Sequence, residues 1–389
     1  MAYYRPVFFC KQDPYLMRIY YEDSMPYAAE FFSELGDCQV FSHKTITAEQ
    51  LIDADVLLVR STTKVNAALL ASSPRLKFVA TATAGTDHVD IDYLTQRGIH
   101  FQSAGGCNAV AVAEYVMSAL CIMGDKLNWQ WHDKTVGIVG AGHVGSALQK
   151  KLDVLQVNYK LCDPPLQQAG DPRQFVDMQE IMKCDVITLH VPLVTSGHHP
   201  TEHLFDLARL TQLSEQQLLI NACRGEVVDN AAALALFEAG HKRHIVLDVW
   251  ENEPDINLSL IPYVALGTAH IAGHTIEGKA RGTEMLYQAL CEFYQLPNTK
   301  RLSDYLPTTQ TQLSFNPLHD LRQNINDFIL EVYNISTDSE HFKAAMQNAE
   351  QFRYIRKHYP IRREFSAVKV NTGNFAESKA IYALGFLQA

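Results

Sequence analysis

Several things are missing from this chain of 389 residues, and each omission closes off a class of function. No apolar run is long enough to cross a bilayer: the longest, Ala109 to Met123, is interrupted by Glu114 and falls short of the roughly 20 residues a spanning helix needs. It reads as a core helix. Cysteine pairs at metal or redox spacing are absent. The eight cysteines, Cys10, Cys38, Cys107, Cys121, Cys162, Cys184, Cys223 and Cys291, are scattered, mostly through apolar segments, which suits reduced and buried thiols. An excess of basic charge is also absent. At a net charge of -10 the chain repels nucleic acid and acidic membranes at long range, so an anionic substrate would need a local basic pocket. The first residues carry Arg5, Pro6 and Lys11-Gln-Asp-Pro14 but no sustained apolar segment, so a cytoplasmic location is expected rather than secretion.

What is present is an ordinary folding composition, 47% apolar and 20% charged. Single cores stop growing at roughly 250 to 300 residues, so two or three domains are expected. Short apolar runs at Arg18 to Tyr21, Val56 to Val59 and Phe78 to Thr81, with helical patterns after Asp23-Ser-Met-Pro26 and near Asn66 to Ala71, suggest a first parallel α/β unit. A second begins at the strand Val136 to Val139 and continues through Leu161-Cys162, Val186 to His190, Leu218 to Asn221 and Ile245 to Val249. The segment from Ile276 or Glu277 to Phe293 reads as a helix returning to the first unit, and Tyr305-Leu-Pro-Thr-Thr309 as a linker. The tail combines a helix carrying Leu321, Ile325, Phe328, Ile329 and Val332 on one face, a strand over Ser366 to Val370 and a last helix ending at Leu384-Gly385. It is small for an independent core and is expected to pair with a second copy as a homodimer.

The chemistry begins with Gly140-Ala-Gly142-His143-Val144-Gly145, which follows a strand and opens a helix. In that setting the first glycine permits the turn, the second admits a pyrophosphate, and the third lets helix and strand approach, with phosphate charge at the helix N-terminus. Asp163, 18 residues beyond Gly145, would accept the adenosine ribose hydroxyls. An aspartate repels a 2′-phosphate, and Pro164-Pro165-Leu166 offers no arginine to offset it, so the expected cofactor is NAD rather than NADP. Three further residues each follow a strand-like run: Arg224, Glu253 and His270. An arginine fork suits a carboxylate, and a histidine whose second nitrogen meets a carboxylate suits proton removal from a hydroxyl. Alone each is more often structural or solvated. Together they point to hydride removal from a hydroxy acid. For His198, His199 and His203 no carboxylate or cysteine completes a familiar ligand pattern and Pro200 breaks the helix that would align them, and His270 and His274 lack the glutamate of a zinc-protease motif, so no metal is expected.

These motifs resemble the D-2-hydroxyacid dehydrogenases from about residue 17 to 300. The resemblance is carried by Val59-Arg-Ser-Thr-Thr-Lys-Val65, Thr81-Ala-Thr-Ala-Gly-Thr-Asp-His-Val-Asp90, Gly106-Cys-Asn-Ala109, Cys162-Asp-Pro-Pro165 and His270-Ile-Ala-Gly-His-Thr-Ile-Glu-Gly-Lys-Ala-Arg-Gly-Thr283. It implies an α/β fold with two doubly wound parallel-sheet, Rossmann-like domains and a small α+β C-terminal dimerisation domain. The implied division is 17–110 with 275–302 for substrate, 111–274 for NAD and 303–389 for dimerisation, with 1–16 preceding the family's usual start. Arg224, Glu253 and His270 would be catalytic; Val191, Asp248 and Gly273 would join Asp163 and the glycine loop at NAD; Ser61, Thr83, His274 and Arg60 would contact substrate. The family usually has tyrosine where this chain has His274. The branch with such a tail acts on a four-carbon phosphorylated hydroxy acid in pyridoxal phosphate synthesis, and Lys64, Lys279 and Arg281 are further candidates for its phosphate. Oxidation or reduction of phosphoglycerate, glycerate or hydroxypyruvate is an alternative, as is an NAD-sensing binding protein with little turnover.

Overall fold

The computed structural model describes residues 17–308, 311–373 and 378–389; the extension 1–16 lies outside them. Two compact units are present, one of residues up to Cys107 with Lys279–Leu306, the other of Asn108–Gly278 with Pro307–Ala389.

The first unit holds five parallel strands, β1 (Arg18–Glu22), β2 (Asp37–Phe41), β3 (Val56–Val59), β4 (Phe78–Thr81) and β5 (His100–Ser103), in the order β2-β1-β3-β4-β5. The central β3 and β4 are buried at every position, which is why they read as continuous apolar runs instead of alternating ones. The returning helix Ile276–Phe293 enters this unit and supplies Ala280, Leu286, Tyr287 and Leu290 to its core. The expected helix over Asn66 to Ala71 is not formed. Asn66 accepts from the N–H of Leu69 and Leu70, closing one turn, and Ser72-Ser-Pro74 stops it there.

The second unit holds six parallel strands, β6 (Val136–Val139), β7 (Tyr159–Cys162), β8 (Val186–Leu189), β9 (Leu218–Asn221), β10 (His244–Leu247) and β11 (Leu266–Gly267), in the order β11-β10-β9-β8-β6-β7. Strand order reverses at β6, which places the following glycine loop where open sheets of this kind bind ligands. The helix Ala109–Leu127 is almost wholly buried, and its Glu114 is paired with the buried Lys151 at 3.1 Å. No helix among the described residues is long and apolar enough to cross a membrane.

The tail belongs to this second unit and does not stand apart from it. Its helices Leu321–Val332, Ile335–Ala345 and Ala349–Lys357 and the short turn Phe365–Ala367 send Phe328, Ile329, Phe342, Phe352 and Phe365 into cores shared with β6 to β11, beside a three-stranded parallel sheet β12 (Gln312–Ser314), β13 (Lys369–Asn371) and β14 (Leu387–Gln388). The helix Ile335–Ala345 also shields the edge strand: Ser339 Oγ accepts from the N–H of Gly267 at 3.0 Å.

Candidate active site

Adjacent strands β9, β10 and β11 deliver Arg224, Glu253 and His270 from their carboxyl ends. His270 has φ 57°, in the left-handed region that a non-glycine residue seldom occupies, and the surrounding bonds hold it there. Its own N–H donates to the Asp248 carbonyl at 2.7 Å. The buried Asp248 carboxylate then accepts from the N–H of Ile271 at 2.7 Å, the N–H of Ala272 at 3.0 Å and the Thr268 hydroxyl at 2.7 Å. Asp248 therefore spends its carboxylate on shaping the histidine loop.

His270 Nδ1 lies 2.7 Å from Glu253 Oε2, and the other carboxylate oxygen accepts from the N–H of Trp250 at 2.9 Å. Burial raises the proton affinity of Glu253, but the His270 imidazole, the Trp250 N–H and the Arg356 charge outweigh it, so its pKa is lowered. An ionised carboxylate only accepts, so Nδ1 carries the proton and Nε2 presents a lone pair. The pair has the tautomer that a base needs.

Arg224 sits in extended backbone just past β9, its loop braced by the buried Asn221, whose Nδ2 donates to the Arg224 carbonyl at 2.8 Å. The neighbouring Gly225 explains the register of that loop. A Cβ there would fall 1.9 Å from the Trp250 carbonyl oxygen, so only glycine lets the Arg224 loop lie against the turn that carries Glu253. Arg224 Nη1 donates to the Cys223 carbonyl at 2.8 Å.

At the glycine loop, Gly140 has φ 90° and its missing Cβ makes room for the backbone of His190 and Val191. Gly145 packs on the Gly140 carbonyl, whereas a Cβ on Gly142 would meet nothing within 4 Å among the described residues. Packing thus accounts for the first and third glycines and does not account for the second. His143 is exposed, while Val144 packs against the core. Asp163, at the end of β7, accepts from the N–H of Ala141 at 2.8 Å and of Leu166 at 3.1 Å, which ties the loop to the strand and leaves lone pairs for ribose hydroxyls. One arginine unforeseen from the Pro164–Leu166 segment comes near. Arg173 contacts Ser146, but its guanidinium is held by Asp171 at 2.8 Å, so its charge is already matched. The site suits NAD. Gly273 lies against Asn108, and the His274 ring stands edge-on to Tyr359 at 6.1 Å.

In the first unit, Arg60 and Ser61 follow β3, and Thr83 follows β4. The residue that shapes the loop after β3 is Glu22, at the end of β1. It is fully buried and accepts from the Arg60 N–H at 2.9 Å and from the hydroxyls of Thr62, Thr63 and Ser24 at 2.6 to 2.7 Å. Burial raises its proton affinity, and those four bonds more than offset this, so its pKa is lowered. Thr83 bonds to Thr81 and to the Gly85 carbonyl. Sequence reasoning missed Glu22 because its partners lie about 40 positions away. The histidine cluster completes no familiar ligand pattern in the sequence, and in the fold His203 meets two carboxylates, Glu251 at 2.6 Å and Asp229 at 3.8 Å from its ring. Folding brings these together, and Glu251 also accepts from the N–H of Asn230, so the group works as a brace for the Trp250–Glu253 turn. Of the phosphate candidates, Arg281 donates to the Cys107 carbonyl.

Residues 118–272 match the model for the NAD binding domain of D-isomer specific 2-hydroxyacid dehydrogenases, and 305–385 match a domain of unknown function. An erythronate-4-phosphate dehydrogenase of Pseudoalteromonas atlantica is 61% identical over 95% of this chain and 99% of its own. The chain belongs to the erythronate-4-phosphate dehydrogenase family. A second member, from Serratia proteamaculans, is 45% identical over 96% of the chain and 100% of its own length. Among solved structures, the NAD+-bound 3-phosphoglycerate dehydrogenase of Entamoeba histolytica aligns with a TM-score of 0.61 at 22% identity, covering 72% of this chain and 96% of that one. The D-lactate dehydrogenase of Aquifex aeolicus, complexed with NAD and lactic acid, aligns at 0.56 and 23%, covering 71% and 95%. At that identity these neighbours share the fold. The enzyme is an NAD-dependent dehydrogenase of the 2-hydroxyacid class, with two parallel α/β sheets and a small third sheet.

Proposed function

We propose that the enzyme oxidises 4-phospho-D-erythronate to 2-oxo-3-hydroxy-4-phosphobutanoate in pyridoxal phosphate synthesis. The observation that carries the chemistry is the 2.7 Å pair between His270 Nδ1 and Glu253, which leaves Nε2 ready to take the C2 hydroxyl proton. Glu253 then stabilises the imidazolium that forms. Arg224 grips the substrate carboxylate through its planar fork and polarises the developing carbonyl. Gly140, Gly142, His143, Val144, Gly145, Asp163 and Val191 hold NAD, with Asp248 and Gly273 beside them, and NAD supplies the hydride acceptor for C2. The relatives' name supports a phosphorylated substrate. Arg60, Ser61, Thr83 and His274 are the proposed substrate contacts, supported for the first three by their place after the ends of β3 and β4.

The test is NADH formation with phosphoerythronate beside unphosphorylated erythronate and 3-phosphoglycerate. A clear preference for the first supports the proposal. Equal rates with erythronate refute a phosphate pocket, and NAD binding without turnover of any acid refutes the enzyme reading in favour of a sensor. The same reading places the enzyme in the cytoplasm as a homodimer joined through the tail, where Leu318 and Ile361 are exposed at 91% and 79%. Light scattering that gives a monomer at micromolar concentration removes the dimer.

A further inference from the structure

We infer that Arg356 and Arg362, both in the tail, are positioning residues that hold the carbonyl side of the His270 loop and so set where the base stands. The inference rests on His270 being the proton acceptor. Asp248 grips only the N–H side of this loop. Its three successive carbonyls, those of His270, Ile271 and Ala272, turn the other way and meet the tail: Arg356 Nε donates to His270 O at 3.3 Å, Arg362 Nη1 reaches Ile271 O at 3.5 Å, and Arg362 Nη2 donates to Ala272 O at 3.0 Å.

The Arg362 guanidinium is built into place. It is 5% exposed, lies 4.0 Å over the Tyr333 ring, and also donates to the Ala111 carbonyl at 2.6 Å, so one planar fork bridges the histidine loop to the first turn of the helix Ala109–Leu127. Beneath it, Tyr333 and Tyr359 both donate to Asp338. Its main chain adds to the grip, since the Arg362 carbonyl accepts from the N–H of Ile276 at 3.1 Å. Arg356 comes from the last turn of the helix Ala349–Lys357, and its charge acts on Glu253 as well as its Nε on His270 O. Two arginines of the tail therefore touch the same short loop that Asp248 shapes from within. A general base must stand within about 3 Å of the proton it removes, and a misplacement of about 1 Å can lower the rate by about 100-fold. The tail, whose family model is a domain of unknown function, thus serves the reaction within its own subunit.

The experiment uses the full-length enzyme and measures kcat, KM for the phosphorylated acid, NAD affinity by fluorescence quenching, and Tm. Arg356→Gln is expected to lower kcat about 10-fold with KM and NAD affinity within about twofold of the parent, and Arg356→Lys, which keeps the positive charge near Glu253 and a donor with longer reach than glutamine, to recover most of the loss. Arg362→Lys, which keeps the charge but loses the fork, is expected to lower kcat further. An unchanged kcat in Arg356→Gln overturns the inference, and so does a rise in KM alone, which would make Arg356 a direct substrate contact. His270→Gln is run in parallel. If it retains turnover, the base assignment falls and the inference with it; if it is inactive while Arg356→Gln is normal, only the inference falls.

Discussion

At the scale of single residues, two carboxylates meet the His270 loop and do different work. Glu253 faces the imidazole, and Asp248 faces the backbone that carries it. Glu253→Gln keeps the shape and removes the charge that would balance an imidazolium. Its kcat is expected to fall roughly 100-fold or more, within what general base catalysis contributes, while NAD binding measured by fluorescence stays near the parent value. His270→Ala should abolish turnover and likewise spare NAD binding; normal turnover would remove His270 from the mechanism. A different histidine, His132, links stability to pH. His132 is buried, stacked on Trp131 at 3.8 Å, and neither ring nitrogen has a hydrogen-bond partner among the described residues. Burial, helped by the Arg322 charge, pushes its pKa down to about 4, whereas in the unfolded chain it titrates near 6.5. Between those values the unfolded state binds more protons, so stability is full above about pH 6.5 and declines as the pH falls toward 4. Urea midpoints taken from pH 7 to 4.5 should drop, and His132→Phe should flatten the slope.

At the scale of elements, two glycines make opposite predictions. Gly225→Ala would force a Cβ against the Trp250 carbonyl and part the Arg224 loop from the Glu253 turn, so Tm and kcat should fall together. Gly142→Ala points into open space, so Tm without cofactor should hold while the Kd for NAD rises, by calorimetry, at least about tenfold if the pyrophosphate lies there. An unchanged Kd would move the cofactor elsewhere. The same contrast shows what the sequence could tell. Strands β6 and β9, the glycine loop and the returning helix were legible because each is a local pattern: an apolar run, a spacing, a helical periodicity. Strands β2, β5 and β11 were not. β2 and β5 are exposed or half-buried through most of their length and lack an apolar signature, and β11 is two residues long. The apparent helix near Asn66 failed because apolar spacing was present without the length to sustain it. Arg224, Glu253 and His270 could be picked out one by one; their braces, Asp248, Asn221, Gly225 and Arg362, owe their meaning to partners brought close only by folding.

At the scale of the whole molecule, the tail is part of the nucleotide-binding unit's interior as well as the proposed dimer surface. A chain ending at Leu306 would expose the faces now covered by Phe328, Phe342, Phe352 and Phe365 and leave Glu114, Glu277 and Lys151 without their partners in the tail. Such a truncation is expected to be insoluble or to lose cooperative melting, and a soluble fragment with the parent's Tm would contradict it. One feature reaches beyond catalysis. The helix Ile335–Ala345 roofs β11, the outermost strand of the six-stranded sheet. Loosening that roof would leave the Gly267 N–H unpaired at the sheet's rim, so a frayed tail would offer a neighbouring chain a place to add a strand.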